Sequence, residues 1–134
     1  MPGTDAFFDT NVLVYMTSGD VARAETSKRL LAARGVVSVQ ILNEFANVAR
    51  LKLRFTWAEV REFLTIIEAA CKVVPVTIET HRRGLELAER HRLAVYDGMV
   101  IAAAQMAGCS VLYSEVMHDG FVKDGLTIRN PYRS

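Results

Sequence analysis

The sequence is short of cysteine and proline and has no excess of either charge, and each shortage removes a class of protein. Its two cysteines, Cys71 and Cys109, are too few and too far apart for a disulfide framework or a cysteine metal motif. Both stand among apolar neighbours, so buried free thiols are expected. Three prolines and eight glycines leave no low-complexity tract, internal repeat or linker. No apolar run reaches the ~20 residues of a membrane span, and the stretch Asp97 to Ala107 has the length of a buried helix. No basic segment followed by a long apolar stretch opens the chain, so no signal peptide is expected and a cytoplasmic protein follows. Lys and Arg number 16 against 15 Asp and Glu, a net charge of +1. Overall charge therefore cannot draw the chain to nucleic acid, and any such contact depends on local clusters.

What is present is an ordinary globule, with 51% apolar and 23% charged residues. Its 134 residues suffice for one domain, 1–134, with a substantial core. The stretch Phe7-Phe8-Asp9-Thr10-Asn11-Val12-Leu13-Val14 sets a carboxylate, a hydroxyl and an amide inside an apolar run. An ionised Asp there is costly to bury unless its charge is compensated. Two more acids keep similar company: Glu44 in Ile41-Leu42-Asn43-Glu44-Phe45-Ala46 and Asp97 in Val95-Tyr96-Asp97-Gly98-Met99-Val100. If the three converge, their repulsion calls for a cation, and Mg²⁺ or Mn²⁺ suits an all-oxygen site. Singly, each has a plainer role. Asp97 could cap its helix, Glu44 could pair with Lys52 or Arg54, and Thr10, Asn11 and Ser114 could satisfy local backbone.

Apolar runs predict strands at Ala6–Asp9, Val36–Val39, Val73–Val76, Ser110–Tyr113 and Leu126–Arg129, with Pro75 marking an edge or strand end. Helical spacing predicts helices over Val21–Ala33, ended by Gly35, and over Ile41–Leu53, with Ser38 as a possible cap and Glu44 beside the apolar stripe. A helix or turn is expected from Asn11 to Tyr15. Thr56 and Glu59 match a capping box opening a helix to about Ala70. Thr77 or Thr80 starts another to about Arg92, and Tyr96–Ala107 follows, stopped by Gly108. Met117–Gly120 reads as a loop. Strands alternating with helices give an α/β fold, a central parallel sheet flanked by helices.

With these blocks in order, Phe8-Asp9-Thr10-Asn11-Val12-Leu13, Asn43-Glu44-Phe45, Tyr96-Asp97 and Leu112-Tyr113-Ser114-Glu115, the chain resembles the PIN domain, and within it the VapC toxins of toxin–antitoxin systems. The resemblance covers essentially the whole chain. It implies a three-layer α/β/α domain and a divalent-metal-dependent endoribonuclease, often a homodimer and inhibited by a cognate antitoxin. Asp9, Glu44 and Asp97 would be the metal-site acids that carry catalysis, with Thr10, Asn11 and Ser114 supporting them. The family's last block ends in an acid that falls at position 116, where this chain has Val116. Asp119 and Glu115 are the neighbouring candidates to replace it. Glu115 is the weaker, since residues 115 and 116 project oppositely if the strand continues. A PIN domain that has lost catalysis and serves as a protein- or RNA-binding module is the alternative. A phospho-receiver module fits less well, lacking adjacent acids near the first strand.

His81, His91 and His118 lack metal-ligand spacing, and the first two are expected on solvated helix faces. Arg50, Lys52 and Arg54 form a basic cluster, as do Arg82, Arg83, Arg90 and Arg92, while Arg129 and Arg133 lie near the end. Solvated faces are the default for such clusters, and RNA-backbone contact is the sharper reading. Phe45, Trp57, Phe63, Ile66 and Ile67 read as core, with part of the set available as a groove for a partner helix. Phe55 and Trp57 are the aromatics expected to be exposed.

Overall fold

The computed structural model describes residues 5–117 and 119–133, so His118 lies outside the described residues. β1 (Ala6–Phe8) leads directly into α1 (Thr10–Tyr15), and α2 (Val21–Ala32) follows. β2 (Gly35–Ser38) runs into α3 (Val39–Leu51), and α4 (Trp57–Ala70) into β3 (Cys71–Val74). The helices α5 (Ile78–His91) and α6 (Val95–Met106) precede β4 (Val111–Tyr113), β5 (Val122–Lys123) and β6 (Leu126–Arg129). Helices enclose the sheet in α/β/α layers, as expected.

The strand order is β3-β2-β1-β4-β6-β5, parallel except for the β5–β6 pair. The chain starts in the middle, builds outward through β2 and β3, then returns to lay β4 on the other side of β1. That reversal makes the carboxyl ends of β1 and β4 a topological switch point, where open α/β sheets place their ligands. Phe8 pairs with Tyr113 in register, so Asp9 and Ser114 are the next residues out along the same edge. The Asp9 amide continues the ladder, donating to the Tyr113 carbonyl at 3.0 Å. One hydrophobic cluster, including Phe7, Phe8, Ile41, Phe45, Ile67, Ile101 and Leu112, fills the space under the helices.

Local chemistry starts the helices where the sequence indicates. Ser38 caps α3, its Oγ accepting from the Ile41 amide at 3.4 Å, and Thr56 with Glu59 forms the reciprocal capping box of α4. Thr77, rather than Thr80, caps α5. Pro75 lies just past the end of β3, which is the edge strand.

Four expectations need correction. Gly35 does not end α2; that turn is made by Arg34 at φ 66, and Gly35 opens β2. A side chain at 35 would meet the Phe8 ring at 2.5 Å, so glycine is needed for the close packing of β2 on β1. Val39 belongs to α3 and not to the strand, because Ser38 has already capped the helix. β5 was not expected; Asp124 (φ 51) and Gly125 (φ 82) form a two-residue left-handed turn that folds it back on β6. His91 is only half-exposed, set edge-on against Phe121 at 5.2 Å, with its Nε2 buried and unpartnered among the described residues.

Both cysteines are buried and free, and burial pushes their thiols up to about 11, well away from a reactive thiolate. Among the described residues no helix is long and apolar enough to cross a membrane.

Candidate functional site

Asp9 occupies the first position beyond β1 and is 5% exposed. Both carboxylate oxygens are engaged by neighbouring donors. One accepts from the Thr10 amide at 2.8 Å. The other accepts from Ser114 Oγ at 2.8 Å and from Asn11 Nδ2 at 3.1 Å. Ser114 thus reaches across from the end of β4, and its own oxygen also accepts from the Met117 amide at 3.2 Å. Asn11 Oδ1 accepts from the Glu115 amide at 3.0 Å. The supporting residues expected from sequence therefore tie the two strand ends together around one carboxylate.

Glu44 comes to the same cavity from α3. Its Oε1 accepts from Thr10 Oγ1 at 2.6 Å and its Oε2 from Gln40 Nε2 at 3.0 Å. No ion pair of Glu44 with Lys52 or Arg54 forms among the described residues. Gln40 also donates to the Tyr96 carbonyl at 3.4 Å, linking α3 to the start of α6. Gln40 was missed in sequence, although its i, i+4 spacing to Glu44 was a usable signal.

Asp97 stands in the first turn of α6, but it does not cap that helix. The cap position is Ala94, with no side-chain cap bond. Gly98 lets the start of α6 press against α5, since a Cβ there would fall 2.4 Å from the Gly84 carbonyl oxygen. That close crossing seats Asp97 at the rim of the cavity.

The cavity holds about 520 Å³ and is lined by Asp9, Thr10, Asn11, Tyr15, Glu44, Asn47, Lys52, Asp97, Glu115 and Val116, among others. Burial is the main reason the Asp9 carboxyl is raised above its ordinary range, and the negative charges of Glu44 and Asp97 raise it further against its hydrogen bonds. Asp97 is raised as well, by burial and then by Glu44. The three carboxylates are near enough to repel, and no cationic side chain hydrogen-bonds to any of them among the described residues. Among the described residues no group of three or more His, Cys, Asp or Glu side chains stands close enough together to hold a metal ion directly. This oxygen-only, open and uncompensated set suits a hard cation that keeps waters of its own, for which one or two direct carboxylates suffice.

The two replacement candidates are engaged by other partners, and only Glu115 touches the cavity. Glu115 turns to Arg23, whose Nη2 and Nε donate to its Oε2 at 2.7 and 3.0 Å, and the Tyr15 hydroxyl donates to its other oxygen. Tyr15 first, and Arg23 with it, hold the Glu115 carboxyl below its usual range. Arg23 and Tyr15 were not singled out in sequence, being 92 and 100 residues from their partner. Asp119 accepts from the Asn130 amide at 2.7 Å and pairs with Arg133, and it does not line the cavity. Val116 does, at 72% exposure.

Of the basic residues, Lys52 lines the cavity, while Arg50 lies over the Trp57 ring at 4.5 Å. Trp57 at 56% and Ile66 at 46% exposure lie outside the core in which both were also read, Trp57 matching its reading as an exposed aromatic, while Phe55 is half-buried, stacked on Phe63 at 5.5 Å. A separate apolar groove of about 510 Å³ runs between α2 and α4, lined by Leu31, Phe63 and Ile66 among others.

A family model described as the PIN domain matches residues 6–115. No curated protein matches the chain. Among solved structures, a toxin–antitoxin complex from Klebsiella pneumoniae superposes with a TM-score of 0.73 at 21% identity, covering 97% of this chain and all of that one. VapC20 of Mycobacterium tuberculosis, a sarcin–ricin loop cleaving toxin, gives 0.67 at 21% identity over 81% of this chain and 87% of its own. A DNA-bound VapBC from Salmonella typhimurium gives 0.64 at 20% identity over 96% and 98%.

Proposed function

This chain belongs to the PIN-domain family, and from that premise we propose that it is a divalent-metal-dependent endoribonuclease of VapC type. The observation that carries the reading is the convergence of Asp9, Glu44 and Asp97 on one cavity at the sheet's switch point, with no cationic side chain hydrogen-bonded to them among the described residues. Mg²⁺ or Mn²⁺ would be held among Asp9, Glu44 and Asp97, by one or two of them directly and by the others through the ion's waters. When bound, such an ion supplies a Lewis acid for the phosphate and lowers the pKa of water.

The chain's own residues do the positioning. Thr10 and Gln40 each hold one oxygen of Glu44, fixing its rotamer toward the cavity. Ser114 and Asn11 do the same for Asp9, donating to one oxygen. Such orienting partners count for about 10–100-fold in metal affinity or activity. Asp97 makes no side-chain hydrogen bond among the described residues, which leaves both of its carboxylate oxygens free to meet the ion or its waters. Lys52 lines the same cavity and would be the cation available to an RNA backbone there.

Similarity to toxin–antitoxin complexes supports an antitoxin as partner, and the α2–α4 groove offers an apolar seat for its helix. Homodimerisation and a cytoplasmic location belong to the same proposal. The second reading, a PIN domain that binds without cleaving, draws on Val116, whose isopropyl group faces the cavity where the family's fourth acid would stand.

The test is cleavage of a mixed structured RNA pool with Mg²⁺ or Mn²⁺ by the wild type, Asp9→Asn and Val116→Asp. Cleavage by the wild type that Asp9→Asn abolishes supports the nuclease. A silent wild type awakened by Val116→Asp identifies a nuclease fold disabled at one position. Silence of all three, with folded protein, favours the binding module.

A further inference from the structure

A smaller cavity of about 230 Å³ adjoins the acid site, sharing Asp97 and Val116 with it. Beyond those two residues its walls are largely apolar, with Ile101 and Ile128 at 1% and 2% exposure forming part of them. Arg92 and Asp97 are the only charged residues on its lining among those described. The volume falls below the ~300–1,000 Å³ of sites that take whole small molecules. It has room for one ring system.

Two features of the lining favour a flat, aromatic occupant. Phe121 lines the cavity, and His91 braces its ring edge-on. Arg92 lines it too, held by its φ of 55 in the left-handed conformation that ends α5. That conformation is a common way to end a helix, and Arg34 after α2 shares it, so it fixes where the Arg92 backbone lies and no more. Unpaired RNA bases leave their stack to lie on aromatic rings or guanidinium planes. Val116 forms a wall common to both cavities, apolar where a base would rest.

We propose that this cavity receives one unstacked base of single-stranded RNA, from a nucleotide flanking the phosphate at the acid site. It would thereby set which base stands beside the cut. The inference rests on the nuclease reading for the position of the phosphate.

Two variants probe it without disturbing the core. Ala94→Leu fills the cavity from an exposed cap position whose backbone, φ −60 and ψ 147, any residue adopts. Arg92→Gly removes the guanidinium where glycine is conformationally preferred. The measurement is kcat/KM with Mn²⁺ on a short single-stranded RNA and on copies carrying one abasic nucleotide at successive positions around the cut. Stacking of one base predicts a loss of about tenfold at a single position for the wild type. Ala94→Leu should lose the same factor on intact RNA and nothing more on that abasic copy, and Arg92→Gly should lose less. Independent, multiplying losses, or equal tolerance of every abasic position, would overturn the base pocket while leaving the nuclease intact. If no RNA is cleaved, the nuclease reading fails, and the same series is read as binding by fluorescence anisotropy. The pocket then stands only if the same single-position coupling appears.

Discussion

Asp9 and Glu115 follow the two central strands of the sheet, β1 and β4, yet their carboxylates are in opposite electrostatic company. Asp9 is buried, has two acids for neighbours and is stabilised only by neutral donors, so its carboxyl is raised. Glu115 is answered by a guanidinium and a phenol, and its carboxyl is lowered. The same Asn11 side chain touches both, donating to Asp9 and accepting from the Glu115 amide. A folded chain has every means to satisfy an acid at this edge, and at Glu115 it does so. Asp9 without a cationic partner among the described residues is therefore a local difference, the one on which the proposed metal site rests, whereas Glu115 is part of the frame.

The largest way to break the contrast is to neutralise the uncompensated acid. Asp9→Asn should lower RNA cleavage by about a hundredfold to a thousandfold, the scale of removing one preorganised electrostatic partner, while the melting temperature without metal holds or rises. A variant that cleaved at the wild-type rate would detach Asp9 from the chemistry. The contrast is sharpened by adding a fourth acid. Val116→Asp places another carboxylate on the cavity wall. It should reduce the Mn²⁺ concentration for half-maximal activity by about tenfold and lower stability when metal is absent. An unchanged metal requirement would mean that position 116 plays no part in holding the ion.

Breaking the satisfied side should cost stability more than rate. Arg23 is half-exposed, pairs with Glu115 and Asp20, and lies over the rings of Tyr15 and Tyr132 at 5.3 and 5.5 Å. Solvent screening makes such exposed pairs and cation–π contacts weak. Arg23→Ala should therefore lower the melting temperature by only a few degrees, with cleavage changed only a few-fold. A loss of cleavage as large as that of Asp9→Asn would place Glu115 in the chemistry instead.

The contrast also explains what could be read from the sequence. Asp9, Glu44 and Asp97 stood out because each breaks an apolar pattern within a few residues of chain, and the structure brings all three to one cavity. Helix starts at Ser38 and Thr56 were legible for the same reason: caps are local. Gly35 was misread because its partner, the Phe8 ring, lies 27 residues away and only the folded sheet brings the two together. Arg23 and Glu115 were opaque on the same ground. The β5–β6 hairpin was different, since Asp124-Gly125 is itself a turn signal. The two residues of β5 were too few to show alternation beside it.

The smallest expected effect, and the one that sets the two acids directly against each other, is the pH dependence of stability without metal. Asp9 and Asp97 are raised in the folded chain, so folding takes up protons at pH values where the unfolded chain, with carboxyl pKa near ~4, is ionised. Their contribution is fully present below the unfolded value and is lost as pH rises through the raised one. Glu115 and Asp20 are lowered, so theirs is present above the unfolded value and is lost as pH falls through the lowered one. Metal-free protein should thus gain a degree or two as pH falls from neutral toward the unfolded carboxyl value of about 4 and lose it again below that value. Saturating Mg²⁺ favours the ionised form of the three acids and releases their protons. It should flatten or invert that rise and leave the acid limb, which belongs to Glu115 and Asp20, in place. A melting profile with one slope throughout, unchanged by the ion, would mean that the two carboxylate environments are not thermodynamically distinct.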